Sequence, residues 1–243
     1  MSIGTTTLLF ISTAIIFWVP NYGEYVLKAN HDHVLAVFVI VSISGPVLGI
    51  IVGGAIVDNY AGGYEGKKSS LFTLFFAVMA VLCSLPVKMI SSIYLFGLCL
   101  WGVLFFGGAV IPNAQGIMIS SLKPELRAVG NSISVVLQCL LGFIPAPFVY
   151  GVIYNYSKSY DQKLAIALVL WYSIVGVLFY VIGTYYRFKK MEEEEEKESI
   201  KTTAENLRND KNNINIQFTE INESEKHMND HEGDIKKIEI KQL

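Results

Sequence analysis

The stretch "SGPVLGIIVGGAIVDNYAGGYEGKK", residues 44–68, begins as an apolar run and yet carries Gly45, Pro46, Gly49, Gly53 and Gly54 before it reaches Asp58. Glycine and proline both weaken a helix in water, so their density here needs a reason. Gly45, Gly49 and Gly53 recur every four residues and fall on one face of a helix. In lipid, apolar burial gives helices no drive to associate, and close backbone approach along a stripe of small residues does that work instead. The stretch therefore reads as a membrane helix packed tightly on a neighbour, ending at a carboxylate and a glycine-rich turn.

The rest of the chain fits that reading. Of 243 residues, 52% are hydrophobic and 16% charged. The charges are segregated: residues 1–187 hold fifteen of them, net +3, and residues 188–243 hold twenty-five, net −5. A membrane domain with a solvated tail distributes charge this way. Crossing a bilayer takes about 20 apolar residues per helix, and six segments satisfy or approach this: Thr5–Leu27, Val34–Val57, Ser69–Val87, Ile90–Ile119, Ala128–Tyr154 and Leu164–Tyr186. The third is the shortest and has Pro86 near its end. The first lacks the basic start of a cleaved leader and reads as a permanent span. Helices are the form that satisfies the backbone in lipid. The expected fold is an all-α membrane domain over residues 1–187, with residues 188–243 as a charged, mostly disordered tail.

The basic residues near the span ends set the expected orientation. Lys67, Lys68, Lys123, Arg127, Arg187, Lys189 and Lys190 fall on one side, and Lys28, Lys88, Lys158 and Lys163 on the other. Seven against four places both termini in the cytoplasm. Which membrane holds the protein is not legible in the residues.

Small and helix-weakening residues recur in the fourth span and in the fifth, which has Gly142, Pro145, Pro147 and Gly151. Such helices suit a bundle that rocks or flexes, and equally a static, tightly packed one. Polar groups at lipid depth are costly and mark candidate solute contacts: Asn113 and Gln115 in the fourth span, Asn21 and Glu24 near the end of the first. Asn113 stays open between a solute contact and an interhelical hydrogen bond. Gln138, in the fifth, reads as an interhelical bond, and Glu24 as an interfacial residue beside Tyr22 and Tyr25.

Other chemistries find little footing. "HDH" at 31–33 lacks the further ligands of a metal site. "GGYEGKKS" misses both the first glycine and the hydroxyl position of a phosphate-binding loop and follows a membrane span. Cys83, Cys99 and Cys139 lie in apolar runs and read as packing residues. No nucleophile–base pairing stands out, so neither an enzyme nor a cofactor is expected, and no nucleic-acid partner. In the tail, five consecutive glutamates follow Arg187, Lys189 and Lys190. Beyond Asn206, composition predicts disorder, and Leu207, Ile214 and Ile221, seven apart, are too few for a coiled coil.

Gly54-Ala-Ile-Val-Asp58, followed by Lys67 and Lys68, resembles the loop signature of the major facilitator superfamily, which lies between the second and third spans of each six-helix half. Asn59 stands where a basic residue is usual, and "AGGYEG" displaces the lysines. "FWVPNYGEYVL" (17–27) looks like the end of span seven of spinster-like transporters, and "IPNAQGIMISSLKPELRAVGNSISVVLQCLLGFIPAPFVYGVIYN" (111–155) looks like spans ten and eleven. The resemblance implies the second six-helix half of a carrier that moves a small organic or lipid-like solute by alternating access. It further implies a conformational latch at Gly54, Asp58, Lys67, Lys68 and Arg127, and a partner, either a missing N-terminal six-helix half or a second copy. The rival reading is a six-span protein without transport activity that acts by assembling with a membrane partner.

Overall fold

The computed structural model describes the backbone of residues 1–64 and 66–241 and the side chains of residues 1–64, 66–208 and 211. Every regular element among the described residues is helical. Six helices are long and apolar enough to cross a membrane: α1 Ser2–Val26, α2 His31–Ala61, α3 Lys67–Met89, α4 Ile93–Ser120, α5 Pro124–Ser157 and α6 Leu164–Arg208. These are the six expected spans, with ends moved by several residues. The third is complete because a 3₁₀ turn over Leu85–Met89 absorbs Pro86.

Local chemistry accounts for several boundaries. The Asn30 side chain accepts a hydrogen bond from the Asp32 N–H at 3.1 Å and caps the start of α2. At its other end Gly62 (φ 67°) and Gly63 (φ 100°) turn the chain through the left-handed region, which costs a side-chain-free residue nothing. Pro124 opens α5, where a missing N–H is harmless. Within α5 a π-helical turn, Gln138–Phe143, immediately precedes Pro145. The wider turn accommodates the donor that proline lacks.

The compact unit is Met1–Phe188. Its helices form two triplets, α1–α3 and α4–α6, that exchange partners. α4 packs mainly against α2 and α3, α1 packs against α5 and α6, and α1 and α4 meet at the centre. Burial follows the same pairing. Of the most apolar eighteen-residue window of each helix, α1 and α4 bury 61% and 56%, α3 and α6 bury 39% and 44%, and α2 and α5 bury 22% each. Corresponding helices of the two triplets are thus used alike. Two apolar clusters fill the centre. One is built around Phe10, Ile11, Ile15, Phe96, Leu100 and Leu170. The other runs from Leu8 and Tyr180 through Phe76 to Ala109 and Val110.

Side-chain ties mark the two ends. At one, Arg187 of α6 donates from Nη1 to Ser70 Oγ at 2.8 Å and from Nη2 to the Tyr64 carbonyl. At the other, Lys88 and Asp161 pair at 3.2 Å. Lys163 Nζ donates to the Ile90 carbonyl at 2.9 Å and to Ser91 Oγ at 2.8 Å. The first tie joins α3 to α6, and the second joins the end of α3 and the α3–α4 connection to the α5–α6 connection.

The second unit is Lys189–Leu243. Its backbone is helical to Lys241, where the sequence predicts disorder. Glu- and Lys-rich chain has high intrinsic helix propensity, and Lys190 and Glu194 face each other one turn apart at 3.7 Å. Every described side chain there except Met191 is exposed. The side chains of Ile214 and Ile221 lie outside the described residues.

Candidate functional site

The glycine stripe is the closest contact in the bundle. Gly45, Gly49 and Gly53 are all buried and face α4. A Cβ at Gly45 would stand 3.1 Å from Leu104 Cβ, one at Gly53 would stand 2.7 Å from Ala109 Cα, and one at Gly49 would overlap the Phe105 carbonyl. The seam is reciprocal, since a Cβ on Gly108 of α4 would lie 2.8 Å from the Pro46 carbonyl. In α5, Gly142 makes the matching approach to α1, where a Cβ would meet the Thr6 carbonyl at 3.0 Å. Gly151 has looser contact, 3.6 Å to the Trp18 ring. Pro145 and Pro147 are half-buried, and the Pro147 carbonyl accepts from Trp18 Nε1 at 3.1 Å.

The amides lie inside this packing. Asn113 is wholly buried against α2; its Nδ2 reaches the Gly53 carbonyl at 3.4 Å and its Oδ1 has no hydrogen-bond partner among the described residues. It faces another helix. Gln115 is half-buried. Gln138 is buried and donates to Ser134 Oγ at 3.2 Å. Asn21 is exposed and lines a pocket, while the Glu24 carboxylate meets His31 Nδ1 at 2.5 Å. The histidines of "HDH" thus have separate neighbours, with His33 sharing a hydrogen bond with Tyr94 at 3.2 Å.

The residues of the signature loop are dispersed. Asp58 is exposed and makes no side-chain hydrogen bond or ion pair among the described residues. Gly54 has open space around it, and Lys68 is exposed. Lys67 is half-buried and makes an interaction of its own. Arg127 is exposed and donates to the Leu122 carbonyl at 3.3 Å within its own loop. Arg187 of α6 grips this loop, though in sequence it enters only in the orientation count and at the start of the tail. Its guanidinium reaches two acceptors from two different nitrogens of its planar fork. Nothing in the spacing of the chain brings residues 64 and 187 together.

The second feature missed in sequence is an aromatic pocket at the end of the bundle where α1 finishes. Trp18, Asn21, Tyr22, Tyr25, Val26, Tyr150 and Tyr154 enclose about 250 Å³. Trp18 stacks on Tyr150 with ring centroids 4.7 Å apart, and Tyr150 lies near-parallel to Tyr154 at 6.1 Å. The signal was available: Trp18 and Tyr22, and likewise Tyr150 and Tyr154, are four apart and share a helix face. Among the described residues no group of three or more His, Cys, Asp or Glu side chains is placed to hold a metal. No family model matches this chain, and no curated protein matches it as a relative.

Proposed function

We propose that the chain is one six-helix half of a major-facilitator-type, spinster-like solute carrier, and that it works by rocking against a second six-helix body. The observation that carries this reading is the exchange of partners between two triplets of opposite direction, with matched burial of α1 with α4, α2 with α5 and α3 with α6. Inverted repeats of three helices nested in a six-helix half are the construction of such carriers. α2 and α5 give the least surface to their own bundle, and each is made rigid by a glycine contact on its inner side. They are the helices that meet the second body, another half or a second copy. The solute is small and organic or lipid-like, and both termini face the cytoplasm.

A photo-reactive residue at Ile43 of α2 or Leu141 of α5 will give protein–protein adducts in native membranes. The same probe at Leu71 of α3 or Ile182 of α6 will capture lipid. All four side chains are exposed on the isolated bundle. Lipid capture alone at all four positions sinks the pairing. One observation favours the rival reading of a non-transporting assembly: Asn113 and Gln138 are turned wholly inward. Adducts at Ile43 and Leu141 without saturable solute uptake by the same membranes would select that rival.

A further inference from the structure

We infer that the pocket between α1 and α5 binds an organic ammonium group carried on a small apolar body. The inference concerns binding alone and does not rest on the transport reading. The lining is predominantly aromatic, so it presents electron-rich ring faces, which attract cations and repel anions. None of the seven lining residues carries a formal charge, and among them no Lys or Arg is present to attract an anion. Tyr22 is almost fully buried, and its hydroxyl has no hydrogen-bond partner among the described residues. The Asn21 carbonyl oxygen supplies an ammonium N–H with an acceptor at the rim. The Asp161 carboxylate acts on the Tyr22 hydroxyl through its charge. Asp161 is tied to Lys88 and Lys163, so its field is diluted and the rings carry the selectivity. A cavity of about 250 Å³ admits a small molecule of one ring or a short branched chain.

The test uses the full chain in neutral maltoside micelles and three ligands of one skeleton. These are 2-phenylethylammonium, the neutral 2-phenylethanol and the anionic phenylacetate, each titrated by calorimetry. Saturable binding of the ammonium, with the alcohol and the acid failing to bind, is the expected result. Tyr25→Leu and Asn21→Leu alter exposed side chains and leave the fold intact. Each should weaken ammonium binding roughly three- to tenfold, whereas Tyr94→Leu, outside this pocket, should not. Adding phosphatidylethanolamine to the micelles distinguishes the source. A weakened apparent affinity assigns the pocket to a lipid headgroup, and an unchanged one to a free amine; either supports an ammonium site. Equal binding of the alcohol, full-strength binding by both Tyr25→Leu and Asn21→Leu, or no saturable heat with any ligand would overturn it.

Discussion

Gly49 and Gly54 are five positions apart on one apolar helix, and their surroundings differ completely. A methyl group at Gly49 would overlap the Phe105 carbonyl, and backbone cannot swing aside as a side-chain tip can. At Gly54 nothing lies within 4 Å. Gly49→Ala must therefore part α2 from α4, a loss of about 1–3 kcal/mol by the usual cost of overpacking. Gly54→Ala replaces a poor helix former with the best one and should be neutral or stabilising by up to ~1 kcal/mol. Thermal unfolding of the two purified variants checks both signs. Equal melting temperatures would mean that the seam is not the rigid contact described. Asn113 shows the opposite economy. Among the described residues its oxygen is buried without a partner and its one hydrogen bond is long. Replacing a half-satisfied amide by an apolar group of similar shape is close to neutral. Asn113→Leu should unfold within a few degrees of the wild type. A large loss of stability would show that the amide does more than this packing accounts for.

At the level of elements, the link between the α3–α4 and α5–α6 connections depends on Asp161. The backbone N–H of Lys163, and then the Lys88 side chain, hold its carboxyl below the ordinary value of 3.8. A depressed carboxyl favours the folded state above its unfolded value, and that contribution fades as the pH falls through the lower, folded value. Acidification from about 4 downward should release this link, and Asp161→Asn should remove that acid dependence while slightly loosening the loops at neutral pH. Amide hydrogen exchange of residues 88–92 and 158–163 across this range is the measurement. Indistinguishable exchange in wild type and variant at every pH would discard the link. The group is partly open to water, which screens the pair, so the effect is confined to local opening. At the opposite end the Arg187 fork performs the same joining of α3 and α6 with backbone and hydroxyl acceptors.

For the whole molecule, alternation of six spans puts Tyr60 and Tyr160 at opposite ends, both highly exposed. In sealed membrane vesicles of one orientation an impermeant maleimide should label one of Tyr160→Cys and Tyr60→Cys directly and the other only after permeabilisation. Labelling of both from outside would contradict the arrangement. Much of this architecture was legible in the chain. Apolar runs of sufficient length dictate helices because lipid offers backbone groups no other partner, and Gly45, Gly49 and Gly53 announce a close seam because their period is that of a helix face. The sequence could not name the facing helix. A stripe specifies smoothness, and α4 is the partner because its own Gly97 and Gly108 receive α2 in return. Nor could it assign the loop's cation, since Arg187 reaches Tyr64 only when α6 has folded back beside α3. Asp58 and Arg127, expected in one latch, share no contact among the described residues for the same reason: adjacency in sequence places residues at one end of the bundle, while pairing needs directions that packing sets. The aromatic pocket is intermediate. Its two half-motifs are plain in 18–22 and 150–154, and only the meeting of α1 with α5 across Gly142 makes them one site. What the amino acids determined alone is every property that depends on period and polarity along one helix: the spans and their smooth faces. What the tertiary structure decided is every property that needs two helices in a particular register, because side chains more than 100 residues apart meet only where backbone shape allows.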